Sequence, residues 1–144
     1  MTIWFDMDGT LADLYGIENW LEYIINSDPF PFYQAKPLLS LSLLARKLNQ
    51  LQKKGNEIGI ITWLPKNSTE EYKKEVTKAK LFWLKKYLPS INFNEIIIVD
   101  YGTPKKNYCK SKEDWLFDDE INNRNNWDGY AFEVNNILTA LKAI

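Results

Sequence analysis

The sequence predicts an α/β fold with a mostly parallel sheet. Short apolar or β-branched runs recur along the chain, amphipathic stretches separate them, and the runs end where acids, threonine or lysine follow. Thr2–Asp6 reads as a short buried strand. In Ile17–Ile25 the apolar residues at 17, 20, 21, 24 and 25 predict a helix. Asp28–Pro37 (DPFPFYQAKP) holds three prolines and three aromatics, which predicts a loop or turn. Leu38–Lys53 is a helix, with Leu41, Leu44, Leu48 and Leu51 on one face and Gly55 ending it.

Asn56–Thr62 (NEIGIIT) follows as a second buried strand. Ser68 and Glu71 form a Ser-x-x-Glu capping pattern that opens a helix through about Leu88, where Pro89 stops it. Glu95–Asp100 is a third strand and Asp114–Asp119 contains a fourth. Tyr130–Val134 reads as a fifth strand, Asn136–Ala143 as a closing helix, and the asparagine-rich 121–126 as a loop or frayed turn. The 144 residues suit one domain over 1–144, without repeats or a low-complexity linker.

Composition removes several function classes. The chain has no histidine and a single cysteine, Cys109. Ser-His-Asp and Cys-His catalysis, an imidazole base, a zinc centre and an internal disulfide are therefore all excluded. Acid-base chemistry falls to carboxylates, and any metal to a hard cation held by oxygen. A net charge of −1 gives no global pull toward nucleic acid or anionic membranes. No apolar run reaches the ~20 residues of a membrane span. Asp6 and Asp8 interrupt the N-terminal run where a secretory signal needs its apolar core. The expectation is a cytoplasmic protein with no membrane partner.

In parallel α/β sheets, ligands collect outside the carboxyl ends of the strands. Here those ends carry Asp6-Met7-Asp8, then Thr62, then the lysines of YGTPKK, then Asp118-Asp119. Taken singly, Asp6 and Asp8 suit a plain turn, Thr62 a strand end, and Asp118-Asp119 a helix cap. As an ordered set, DMDGT at 6–10, Thr62, a downstream lysine and the acidic pair resemble the four motifs of the haloacid dehalogenase-like phosphatase superfamily, across nearly the whole chain.

That resemblance implies a three-layer Rossmann-like domain and a role for each matched position. Asp6 would be the nucleophile that forms an aspartyl-phosphate, and Asp8 the acid and then base. Gly9 would allow a tight turn beside the phosphate, and Thr10 would hydrogen-bond Asp8. Thr62, with the backbone around Trp63, would bind phosphoryl oxygens. Lys105, favoured over Lys106, Lys110 and Lys112, would neutralise charge. Asp6, the Asp8 carbonyl, Asp119 as the preferred direct ligand and Asp118 would hold Mg²⁺.

The resemblance also implies a cap, for which only residues 14–37 remain, so the cap is minimal. DMDGTLAD and LFDDE are most similar to the 5′(3′)-deoxyribonucleotidases, although Glu120 stands where those have arginine. The expected substrate is a small phosphate ester such as a nucleotide, with Trp20, Phe30, Phe32 and Tyr33 available to stack on a base or to fill a small core. A nucleic-acid 3′-phosphate end, a catalytically silent binding module and a phospho-receiver domain stand as alternatives. The lysines at 73, 74, 78, 80, 85 and 86 are expected on the solvated face of their helix, opposite Tyr72, Val76, Ala79 and Trp83.

Overall fold

A computed structural model describes all residues, 1–144. Five strands form one all-parallel sheet: β1 (Thr2–Phe5), β2 (Glu57–Trp63), β3 (Glu95–Val99), β4 (Trp115–Phe117) and β5 (Tyr130–Phe132), in the order β3-β2-β1-β4-β5. The chain runs outward from β1 through β2 to β3, then returns past β1 to β4 and β5. The strand order therefore reverses between β1 and β4, and that switch point is where such sheets form a crevice. Receiver domains follow the order 2-1-3-4-5, which this sheet does not have.

Between β1 and β2 lie α1 (Trp20–Ile25), α2 (Phe30–Gln34) and α3 (Leu41–Lys53); α4 (Glu70–Tyr87) joins β2 to β3, α5 (Ile121–Asn126) joins β4 to β5, and α6 (Ile137–Leu141) closes the chain. Right-handed crossovers place α3 and α4 on one face of the sheet. There Leu44, Leu48, Leu51, Trp83, Leu84 and the α6 residues Ile137 and Leu141 pack with Ile3, Phe5, Ile58, Ile60 and Phe117 in the main core. The other face is thinner. Trp4, Ile61 and Leu116 are covered by Trp127, Tyr108 and Cys109. The β3–β4 crossover, with Gly102 and Pro104, forms only a single 3-10 turn, Lys105–Tyr108. The second helical layer expected of a three-layer domain is thus reduced to that turn and α5.

Several local expectations need correction. Residues 17–19 stay outside α1 because Asn19 takes a left-handed conformation, φ 62°. The proline-rich 28–37 segment contains α2, since proline is tolerated in a first helical turn, where its missing N–H has no partner to lose. The 121–126 segment is a helix. Ser68 does not cap α4: its hydroxyl donates to the Pro65 carbonyl, and Thr69 instead accepts from the Tyr72 amide. No helix is long and apolar enough to cross a membrane.

Candidate active site

The crevice at the switch point is a cleft of about 620 Å³. Strand β1 delivers Asp6 and Asp8 to its floor, β2 delivers Thr62 and Trp63, and the residues after β4 deliver Asp119. The turn after β1 is built on the Met7 carbonyl, which accepts from the amides of Thr10, Leu11 and Ala12, and it forces Gly9 to φ 81°.

The acids are arranged around Lys105. Its ammonium donates to Asp6 Oδ1 at 2.9 Å and to Asp118 Oδ2 at 2.7 Å, and all three side chains are buried. Asp6, Asp118 and Asp119 each present a carboxylate oxygen within 4.8 Å of the others. Thr10 Oγ1 lies 3.1 Å from Asp6 Oδ2 and 3.4 Å from Asp119 Oδ1, so the threonine serves those acids and not Asp8. Asp118 is fully enclosed and also accepts from the Glu120 amide and Asn123 Nδ2, while Arg124 Nη1 donates to its carbonyl. Asp119 faces the cleft; Asp118 lies behind it.

The four lysines between β3 and β4 are sorted cleanly. Lys106 and Lys112 are exposed, and Lys110 bridges Glu57 and Glu95 away from the cleft. Only Lys105 enters. Trp63 contributes its ring, which lies under the Lys105 ammonium at 5.3 Å and is fixed by its indole N–H donating to the Thr103 carbonyl. Beside it the Leu64 amide donates to the Val99 carbonyl, so that amide is taken by the sheet edge.

Among the residues expected to stack on a substrate, Trp20 and Phe32 line the cleft. Tyr33 does not: it packs edge-on against Phe82, 5.5 Å between ring centres. Phe30 is likewise outside, tilted against Tyr23. Tyr15, Tyr72 and Tyr101 line the cleft instead. Residues 14–37 form one wall of it, where Leu14 and Phe32 pack with Leu64, Tyr72 and Val76.

Lys80 is the main residue that sequence reasoning missed. Its helix pattern predicts a solvated position, yet it is 1% exposed and donates to Asp8 Oδ2 at 2.8 Å, Thr62 Oγ1 at 2.7 Å and the Trp63 carbonyl at 3.1 Å. The available signal was its spacing. Lys80 is four residues after Val76 and three before Trp83, on the edge of the inward stripe.

Proton affinities follow from burial. Burial raises the Asp8 carboxyl above its ordinary 3.8, with the Lys80 ion pair opposing that rise. For Lys105 burial pulls the pKa down, but the charges of Asp6 and Asp118 outweigh it and the net shift is upward. Asp118 is pushed up to about 6 by burial and the charge of Asp6. Asp119 is pushed up to about 8 by burial and by its hydrogen bond and charge contact with Asp6.

A carboxyl that binds its proton more tightly when folded adds stability below its unfolded pKa and loses that contribution as pH rises through the folded value. The cation-free protein is therefore expected to melt at progressively lower temperature between pH 5 and 8.5. Mg²⁺, which requires the carboxylates ionised, should raise the melting temperature more at pH 8.5 than at pH 5.5. Thermal melts in chelator and in Mg²⁺ at both pH values check this, and a cation-free curve that rises with pH would contradict it.

The donor set fits a hard divalent cation. Every candidate ligand is oxygen, and no backbone amide donates to the Asp8 carbonyl, which leaves that acceptor open. Four carboxylates, Asp6, Asp8, Asp118 and Asp119, face two lysines, an excess of two negative charges when all are ionised. The chain matches no protein-family model, and no curated protein matches it in sequence.

Proposed function

We propose that this protein is a Mg²⁺-dependent phosphomonoester hydrolase of the haloacid dehalogenase-like type, working through an aspartyl-phosphate on Asp6. The observation that carries the reading is the Lys105 bridge between Asp6 and Asp118, with Asp119 inside the same 4.8 Å cluster, at the topological switch point. A lone acidic turn has no use for a buried lysine that holds one carboxylate against another. The motif resemblance, in order along the chain, supports the same reading.

Asp6, Asp119 and the Asp8 carbonyl would hold the cation, with Asp118 behind them. When bound, Mg²⁺ neutralises charge so that an anionic carboxylate can meet an anionic phosphate. Asp6 is oriented by Lys105 and Thr10 and forms a bond to phosphorus as the ester P–O bond breaks. Asp8 gives its proton to the leaving oxygen. It then accepts one from the water that attacks phosphorus, and the P–O bond to Asp6 breaks to release phosphate. Thr62 hydrogen-bonds a phosphoryl oxygen.

The walls speak for the substrate class. Above an ionic floor stand Trp20, Leu21, Ile24, Phe32 and Tyr101, with Lys66 near the Tyr101 ring. Such a wall suits a small phosphate ester whose alcohol carries a flat ring that can stack on aromatic side chains, as the base of a nucleotide does.

The test is hydrolysis of aryl phosphates, deoxynucleotides, sugar phosphates and a 3′-phosphorylated oligonucleotide, with and without Mg²⁺. Wild type should turn over flat-ring esters only with the cation, and Asp6→Asn should fall to background. No Mg²⁺-dependent turnover on any of these would defeat the reading.

A further inference from the structure

We propose that Lys80 is a positioning residue for the proton-transfer step, fixing Asp8 and Thr62 in the orientations the reaction needs. The inference rests on the phosphatase reading above.

An ammonium has three protons and no acceptor capacity. At Lys80 those protons meet Asp8 Oδ2, Thr62 Oγ1 and the Trp63 carbonyl, so its donor capacity is matched by three protein acceptors. The Phe32 ring, 5.4 Å from the ammonium, covers it from the 14–37 segment. Lys80 is thus held dry between α4, the end of β2 and the wall of the cleft.

Each of the three contacts has a consequence. With Asp8 Oδ2 occupied, Oδ1 has no protein donor. Because no fully buried side-chain polar atom lacks a partner, Oδ1 must open onto the cleft that Asp8 lines. That is the oxygen left to exchange a proton with the leaving group. Thr62 Oγ1 faces a group that only donates, so the hydroxyl must accept there, and its own proton is free for an acceptor in the cleft. The Trp63 carbonyl, which would repel a phosphoryl oxygen, is turned toward Lys80.

The two lysines therefore divide the acids. Lys105 serves Asp6 and Asp118, and Lys80 serves Asp8. Losing Lys80 should damage proton delivery most, and delivery matters only when the leaving group needs a proton.

The experiment compares kcat/KM, which covers the steps through release of the alcohol and leaves out the dephosphorylation that Asp8 also serves, for p-nitrophenyl phosphate, whose leaving group departs unprotonated, and for a 3-phenylpropyl phosphate, whose alkoxide requires a proton. Lys80→Met should lower kcat/KM on the alkyl ester by about 100-fold or more, within the usual range of general acid catalysis, and on the p-nitrophenyl ester by less than about 10-fold. In an Asp8→Asn background, adding Lys80→Met should leave the ratio between the two esters unchanged. If Lys80→Met does not fold, Lys80→Arg, which keeps charge and donors, is judged by the same split and should show a smaller loss in the same order. Equal losses on both esters, or a further change of the ratio in the Asp8→Asn background, would overturn the proposal and leave the phosphatase reading standing. Absence of wild-type turnover on both esters and on the wider set of phosphates would overturn both together.

Discussion

Lys105→Met is expected to cost about 3–5 kcal/mol of stability near pH 8, the usual penalty for removing one partner of a buried ion pair. Its ammonium is the only cation hydrogen-bonded to the carboxylates of Asp6 and Asp118, both of which are buried. Methionine fills a similar volume, so the cost is electrostatic and not a cavity. The loss should shrink toward pH 5. Without the lysine, Asp118 takes up a proton instead of standing unpaired, and burial already pushes its pKa up to about 6 with Lys105 present. Denaturant unfolding in chelator at the two pH values measures this. An equal loss at both would mean that Lys105 acts through packing. Under the proposed phosphatase function, turnover should be lost at either pH, because Asp6 loses its orientation and its counter-charge together.

Gly9→Ala should combine a backbone penalty with displacement of Asp119, a ligand in the proposed Mg²⁺ site. A Cβ at Gly9 would fall within van der Waals overlap of Asp119, 2.8 Å from its Cγ, and 3.1 Å from Tyr15 Cε2, at a residue whose φ is 81°. The conformation alone costs roughly 1–2 kcal/mol for a residue with a side chain. Gly55 supplies the control, since φ there is 95° and nothing lies within 4 Å of a Cβ. Gly55→Ala should show the conformational cost alone, with Mg²⁺ binding unchanged. Gly9→Ala should be less stable still and bind Mg²⁺ at least about 10-fold more weakly, because Asp119 must swing away from Asp6. Calorimetric Mg²⁺ titration of both variants separates the two effects. Equal Mg²⁺ affinity in both would show that Asp119 is not held by the bare backbone at Gly9.

Much of this site was legible because its chemistry lies at strand ends. A short apolar run followed by DMDGT, or by Asp118-Asp119, announces both the strand and the rim to which it delivers. Lys105 was legible by its turn, since Gly102-Thr103-Pro104 prevents a helix and keeps the lysine near the rim. The helix face of Leu41, Leu44, Leu48 and Leu51 was legible by its period, and all four are buried.

What the sequence by itself determined is thus the α/β class, the order of the strands along the chain, and which carboxylates and threonine reach the carboxyl edge. These depend on local periodicity and on chain order, which a linear pattern carries. The tertiary structure decided what depends on pairing across distance. Strand order in space placed the switch point between β1 and β4. The sheet end paired Lys80 with Asp8, 72 residues away, and turned a residue with a solvent-like composition into a buried one. Packing sent Tyr33 to Phe82 and brought Tyr15 and Tyr101 to the cleft. A charged side chain is buried only where acceptors from other elements meet it, and those acceptors do not show in its own neighbourhood of sequence.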